Sequence, residues 1–213
     1  MKLLPKQRAL IVLAITAASQ PLLCLAQDKG TLREEADRLA VLLNWQPGST
    51  VAEIGAGHGQ LTLVAAKRVG KIYSTELDDK LVTNLQQLAE TEKNIVPVKA
   101  AETETNLPEA CCDSIFMRLV YHHLTKPAEM DASLFRSLKA GGLLVIIDEE
   151  PPANTSPPEG VPKNRGGHGM PLKLLVEELT SVGFQAVKTV DDWPNQEHPA
   201  NHRYCAVFRK PNR

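Results

Sequence analysis

Apolar positions along the chain switch between two periods. Leu32, Ala36, Leu39 and Leu43 recur at helical spacing and mark one face of a leading helix. The turn Pro47-Gly48-Ser49 follows, and residues 50–54 form a short apolar run read as a strand. The same reading predicts a helix over 60–69, a strand over 71–75, a helix over 78–89 and strands over 95–99 and 114–117. Residues 127–139 read as a helix that stops at Gly141-Gly142, a helix-end signal. Residues 143–147 are wholly apolar, as suits the buried centre of a parallel sheet. A last helix over 172–182, ended by Gly183, precedes strands over 184–189 and 204–208. Strands alternating with helices predict an α/β fold with a mostly parallel sheet covered on both faces. Residues 151–169 stand apart: five prolines and four glycines make an irregular connection, a lid or a disordered loop.

The most informative segment is Glu53-Ile54-Gly55-Ala56-Gly57-His58-Gly59-Gln60, at the junction of a strand and a helix. Glycines there let the backbone turn sharply and approach a ligand, and the free N–H groups of the helix start face that ligand. Glu76, near the end of the next strand, is placed to accept hydrogen bonds from two ribose hydroxyls. A dinucleotide fingerprint, G-x-G-x-x-G, requires glycine where Gln60 stands. A carboxylate at Glu53 would also repel a pyrophosphate, whereas it suits the ammonium group of an amino-acid moiety.

With these residues the sequence resembles the class I S-adenosylmethionine-dependent methyltransferases from about Thr31 to its end. Residues 51–59 are similar to the first motif of that family, and Thr75-Glu76-Leu77 to its ribose-binding position. Asp113-Ser114-Ile115-Phe116-Met117 with Tyr121-His122-His123-Leu124 resembles the fourth strand and its exit, and Leu138-Lys139-Ala140-Gly141-Gly142 the entry to the fifth. The resemblance implies a doubly wound, Rossmann-like seven-stranded sheet with its last strand antiparallel. It also implies S-adenosyl-L-methionine held by Glu53, Gly55, Gly57, Gly59, Glu76, Leu77, Glu102 and Arg118. Glu102 stands where many members place an aspartate against the adenine, and Arg118 is unlike the small residues common at its position.

Ligands of open parallel sheets bind outside the carboxyl ends of the strands. Arg118, Tyr121, His122, His123, Asp148, Glu149 and Glu150 converge there, with His168 in the glycine-rich end of the long loop. Trp193, His198 and His202 lie in the final turn, which opens on the same edge. His123 and His168 are the candidate bases, because histidine titrates near neutral pH. Against that, His123 can simply pack on the cofactor or cap the strand. Histidines with Asp148 or Glu149 can also ligate a metal, although their spacing matches no compact metal motif; no metal is expected. Arg118 either clamps an acidic substrate or pairs with a neighbouring carboxylate, the plainer expectation. Residues 191–193 read as a solvated turn with an aromatic lid.

The first 26 residues change the picture of where the protein acts. Lys2, Lys6 and Arg8 precede an apolar run over 9–18, then Pro21 and the small-residue pattern Cys24-Leu25-Ala26. This is the order of a secretory signal cleaved after Ala26, which leaves a methyltransferase-like domain over 27–213, exported to the periplasm or beyond. No membrane span is expected after cleavage. Cleavage removes three basic residues and no acidic one, taking the formal charge from −1 to −4. That balance, without a basic run, predicts no nucleic-acid partner and points to a small-molecule methyl acceptor. Cys111, Cys112 and Cys205 are an odd set, so a free thiol is expected. Two competing readings are a non-catalytic binding protein that keeps the fold and, disfavoured by Gln60, a nicotinamide-dependent oxidoreductase.

Overall fold

The computed structural model describes residues 20–191, 193–194 and 201–212, with side chains from Thr31 onward. Most of the proposed signal, residues 1–19, and His198 lie outside the described residues. Among the described residues, five helices and seven strands alternate: α1 (Gln20–Leu42), β1 (Thr50–Ile54), α2 (Gln60–Ala66), β2 (Lys71–Glu76), α3 (Asp79–Thr91), β3 (Ile95–Lys99), β4 (Cys112–Arg118), α4 (Pro127–Ser137), β5 (Leu138–Glu149), α5 (Leu172–Ser181), β6 (Gln185–Val190) and β7 (Arg203–Arg209). They build one sheet in the order β3-β2-β1-β4-β5-β7-β6. The β1, β2, β3, β4 and β5 pairings are parallel, and β7 runs antiparallel to both β5 and β6. A dinucleotide-binding sheet runs 3-2-1-4-5-6; the antiparallel β7 between β5 and β6 separates this fold from it and removes the main support for the oxidoreductase reading.

The period of two along each strand explains the two cores. Ala52, Ile54, Ile115, Met117, Leu144 and Ile146 point to one face and pack under α4 and α5 with Met130, Leu134, Leu175 and Leu179. Val51, Phe116, Val145 and Ile147 point to the other and pack under α1 and α2 with Ala36, Leu39, Leu61 and Ala65. The predicted α1 face of Ala36, Leu39 and Leu43 is buried as expected. Helix α1 starts at Gln20, so the predicted cleavage after Ala26 falls within its first turns. No helix among the described residues is long and apolar enough to cross a membrane. Cys111, Cys112 and Cys205 are all free thiols.

Three expectations are corrected. The helix over 127–139 ends at Ser137, and β5 begins at once. Gly141 and Gly142 do not stop that helix; they form a bulge, in which the partner of β5 steps from Leu138↔Cys112 to Leu143↔Ser114. Gly141, at φ +74°, donates to the Lys210 carbonyl at 3.0 Å, and Lys210 N donates back to Gly142, so the bulge satisfies backbone groups that a helix end would leave open. The loop over 151–169 is neither disordered nor an open lid. Arg165, fully buried, lies over the Tyr121 ring and donates to the Tyr121 carbonyl (3.0 Å) and to Glu178 Oε2 on α5 (2.5 Å). Trp193 is no lid in a solvated turn: it is buried in the core beside α1, and its indole N–H donates to Glu35 Oε1 at 2.8 Å.

Candidate active site at the carboxyl edge of the sheet

Residues 55–59 connect β1 to α2 with all three glycines in the left-handed region that side chains resist. Gly55 N and Ala56 N both donate to the Thr75 carbonyl, at 3.1 and 3.0 Å, which ties the loop to the end of β2. Gly57 N donates to Glu76 Oε1 at 2.6 Å, and Leu77 N to Glu76 Oε2 at 3.0 Å. Glu76 therefore stands against the glycine loop, as the sequence predicts. Leu77, 50% exposed, offers an apolar surface next to it. A Cβ on Gly57 would meet no protein atom within 4 Å, so this turn borders open space. A Cβ on Gly59 would lie 2.5 Å from Leu88 and 2.8 Å from Leu85 of α3, so Gly59 is a packing position. Asp78 caps α3 by accepting from Lys80 N and Leu81 N, which lowers its carboxyl pKa.

Glu53 does not face this open space directly. It shares the face of Val51 on β1, so it lies beneath α2, where it accepts a hydrogen bond from the Thr62 hydroxyl. Burial pushes its pKa up to about 8, against the opposing pull of Thr62 and Arg118. At neutral pH it is mostly protonated, contrary to the fixed carboxylate expected from sequence. Between its ordinary value of 4.5 and about 8, the folded chain keeps a proton that the unfolded chain has lost. Stability from this group therefore falls as pH rises through that window. The difference in unfolding free energy between Glu53→Gln and wild type should grow in the variant's favour from pH 5 to pH 8, measured by denaturant titration; a pH-independent difference would refute the buried, protonated carboxyl.

Arg118 closes β4 and pairs with Glu35 of α1 through Nε at 2.8 Å, the plainer of its two expected roles. Glu102 is exposed beyond β3 and accepts from the Thr125 hydroxyl at 3.2 Å. The chain leaves β4 through Leu119, held at φ +55° while its N–H bonds the Ile147 carbonyl, a strained position for leucine. This turn sets Val120 over Gly55 and starts the short 3₁₀ turn Tyr121–His123.

His122 and His123 then meet His168 from the long loop. Ring centroids are 4.1 Å apart for His122–His123, 5.6 Å for His123–His168 and 6.1 Å for His122–His168. The buried Asp148, at the end of β5, lies 2.8 Å from His122 Nδ1 and accepts from His122 N at 3.3 Å. Leu119, His122, His123, Glu149 and His168 line a cavity of about 220 Å³. Glu149 itself is held by Arg203 at 2.6 Å and by Asn201 at 2.6 Å. Partial burial, with His122 and His168 alongside, lowers the His123 pKa, so its ring is neutral at pH 7 and able to take a proton. Both predicted histidines are thus brought together. His122 and Asp148 join them as a pair that the sequence reading named among the residues at this edge and as candidate metal ligands, but not as bonded to each other.

Residues 52–146 match the family described as "Methyltransferase domain". Over these residues the chain carries a methyltransferase domain of the class I, S-adenosylmethionine-dependent kind. A probable ribosomal RNA small subunit methyltransferase A of Methanosarcina acetivorans is 31% identical over 122 residues, 57% of this chain and 44% of the relative. A ribosomal protein L11 methyltransferase of Burkholderia cenocepacia is 29% identical over 103 residues, 47% of this chain and 32% of the relative. The chain thus spans less than half the length of these curated relatives. Among solved structures, an S-adenosylmethionine-dependent methyltransferase from Aquifex aeolicus superposes with a TM-score of 0.65 over 82% of this chain and 88% of its own, at 22% identity. S-adenosylmethionine is the cofactor of this domain, and the open turn at Gly57 beside the Glu76 carboxylate fits it. Glu76→Ala should weaken its binding by ~2 kcal/mol, about 30-fold, by calorimetric titration. Unchanged affinity in a folded variant would place the ribose elsewhere.

Proposed function

We propose that this chain transfers a methyl group from S-adenosylmethionine to a small-molecule acceptor held in the histidine-lined cavity. The observation that carries this reading is adjacency: Val120 packs over Gly55 of the glycine loop, and the preceding residue, Leu119, lines the cavity. The cofactor supplies an electrophilic methyl on a sulfonium, and the acceptor must approach it in line. The chain's task is alignment, with the loop backbone and Glu76 fixing one partner and the cavity walls the other. The histidine cluster acts on the acceptor's nucleophilic atom, where a neutral imidazole can receive its proton. The cavity, about 220 Å³, is smaller than the ~300 Å³ at the low end of drug-sized sites. That size and the acidic balance of residues 27–213 favour a compact acceptor over a ribosomal one.

The basic start, apolar run and small-residue site of residues 1–26 support the further proposal that the protein acts outside the cytosol, with Gln27 as the first residue after removal of the signal. Calorimetry with S-adenosylmethionine, S-adenosylhomocysteine and NADH tests the cofactor. Release of S-adenosylhomocysteine in the presence of small oxygen, sulfur and nitrogen nucleophiles, ribosomal RNA or ribosomal protein tests the acceptor. Turnover with a small nucleophile supports the proposal. Tight S-adenosylmethionine binding without turnover on any acceptor would make the chain a binding protein, and turnover on RNA or ribosomal protein alone would overturn the small acceptor.

A further inference from the structure

We infer that His122, His123 and His168 form a site for one divalent transition-metal ion of the zinc class, with its open position turned to the cavity. One ring nitrogen from each histidine lies within 4.8 Å of the others. Around zinc, with Zn–N bonds near 2.0–2.1 Å, tetrahedral ligand nitrogens stand about 3.4 Å apart. Closing the difference, at most about 1.5 Å, needs side-chain rotation, and His123 and His168 are exposed enough to rotate.

The stronger observation is Asp148. A buried carboxylate 2.8 Å from His122 Nδ1 favours the tautomer with the proton on that nitrogen, which leaves the Nε2 lone pair free to ligate. Histidine ligands are oriented by such carboxylates in metal sites. The ligand-bearing backbone is fixed on both sides. The 3₁₀ turn is closed by His123 N donating to the Val120 carbonyl at 2.9 Å. On the loop side, Met170 N donates to the Glu149 carbonyl at 2.8 Å, and a Cβ on Gly169 would lie 2.6 Å from that same carbonyl. His168 is therefore held against the end of β5, between the buried Arg165 and this contact.

Three protein ligands with an open position is the pattern of a catalytic ion, as opposed to a closed structural one. An ion there would contact an oxygen or sulfur atom of a molecule in the cavity and lower the pKa of its proton. That role rests on the methyl-transfer reading and, with the ion bound, replaces proton uptake by the imidazoles; the binding of the ion does not rest on it.

The test uses the untagged full chain, stripped of metal. Zinc is titrated in competition with a chromophoric chelator, and cobalt(II) is added separately to read the visible absorption of imidazole-bound cobalt. One zinc ion per chain is expected. His123→Ala and His168→Ala should each weaken binding at least about 10-fold, and Asp148→Asn by about 10–100-fold. His202→Ala, outside the cluster, should bind as wild type does. His168 is exposed, so its variant folds and keeps the test decisive even where Asp148→Asn does not fold. Gly57→Val should bind zinc normally while losing S-adenosylmethionine, which separates failure of the metal site from failure of the methyltransferase reading. Absence of stoichiometric zinc in wild type, or wild-type zinc affinity in His123→Ala and His168→Ala, overturns the inference.

Discussion

Gly57→Val should leave the protein folded and unable to bind S-adenosylmethionine. The Cβ position of Gly57 meets no protein atom within 4 Å, so a valine there projects into the space next to the Glu76 carboxylate. The residue also sits at φ +57°, which strains a β-branched side chain and pulls the Gly57 N–H off Glu76. The cost to folding is limited to that strain, of order 1–3 kcal/mol. Gly59→Val should do the reverse. Its Cβ would collide with Leu85 and Leu88, so the melting temperature should drop further and residual affinity should track the folded fraction. Calorimetry and thermal unfolding on one preparation of each variant check both. A folded Gly57→Val protein that binds S-adenosylmethionine as wild type does would remove the glycine loop from the site.

The second large effect is expected at Arg165. Its guanidinium is fully buried between Tyr121 and Glu178, and the Tyr121 hydroxyl lies 2.8 Å from Asp131 Oδ2. Burial pushes Asp131 up to about 7 and raises Glu178; Arg165 opposes both shifts, and for Glu178 it is the largest opposing influence. Arg165→Leu removes one partner and leaves the others in a poorly solvated pocket. Breaking such a buried pair costs ~3–5 kcal/mol. Denaturant titration should show that loss. Hydrogen exchange should show the amides of residues 161–170 freed, because Arg165 staples this segment to the 3₁₀ turn and α5. A loss below ~1 kcal/mol would mean that the loop is held by its backbone contacts alone.

How much of this was legible depends on where each residue's partner lies. β1, β4 and the centre of β5 are buried on both faces, and such strands must be apolar along their whole length, so the sequence marks them directly. The glycine loop is equally legible, since its turn and close approach leave few other residues possible. The start of β5 is not. Lys139 to Gly142 carries the signal of a helix end, and only the distant Lys210 shows that the glycines serve a bulge. Arg165 sits in a proline- and glycine-rich stretch that reads as solvated, while its partners Tyr121 and Glu178 are 44 and 13 residues away. The histidine cluster fails a spacing search for a related reason. Two ligands are consecutive in the chain and the third arrives from another loop, so proximity exists only after β4 and β5 pair. Asp148 was visible as a charge ending an apolar strand, but its role needs the His122 ring beside it.

The position of β7 sets the order in which this chain can finish. Because β7 lies between β5 and β6, β6 touches the sheet only through it. Until residues 203–209 have been synthesised, β5 keeps one open edge and β6 has no strand to join. Glu35 waits as well, since its indole partner Trp193 lies 158 residues downstream. Closure of the sheet thus waits for β7 and is governed by long-range contacts that form slowly.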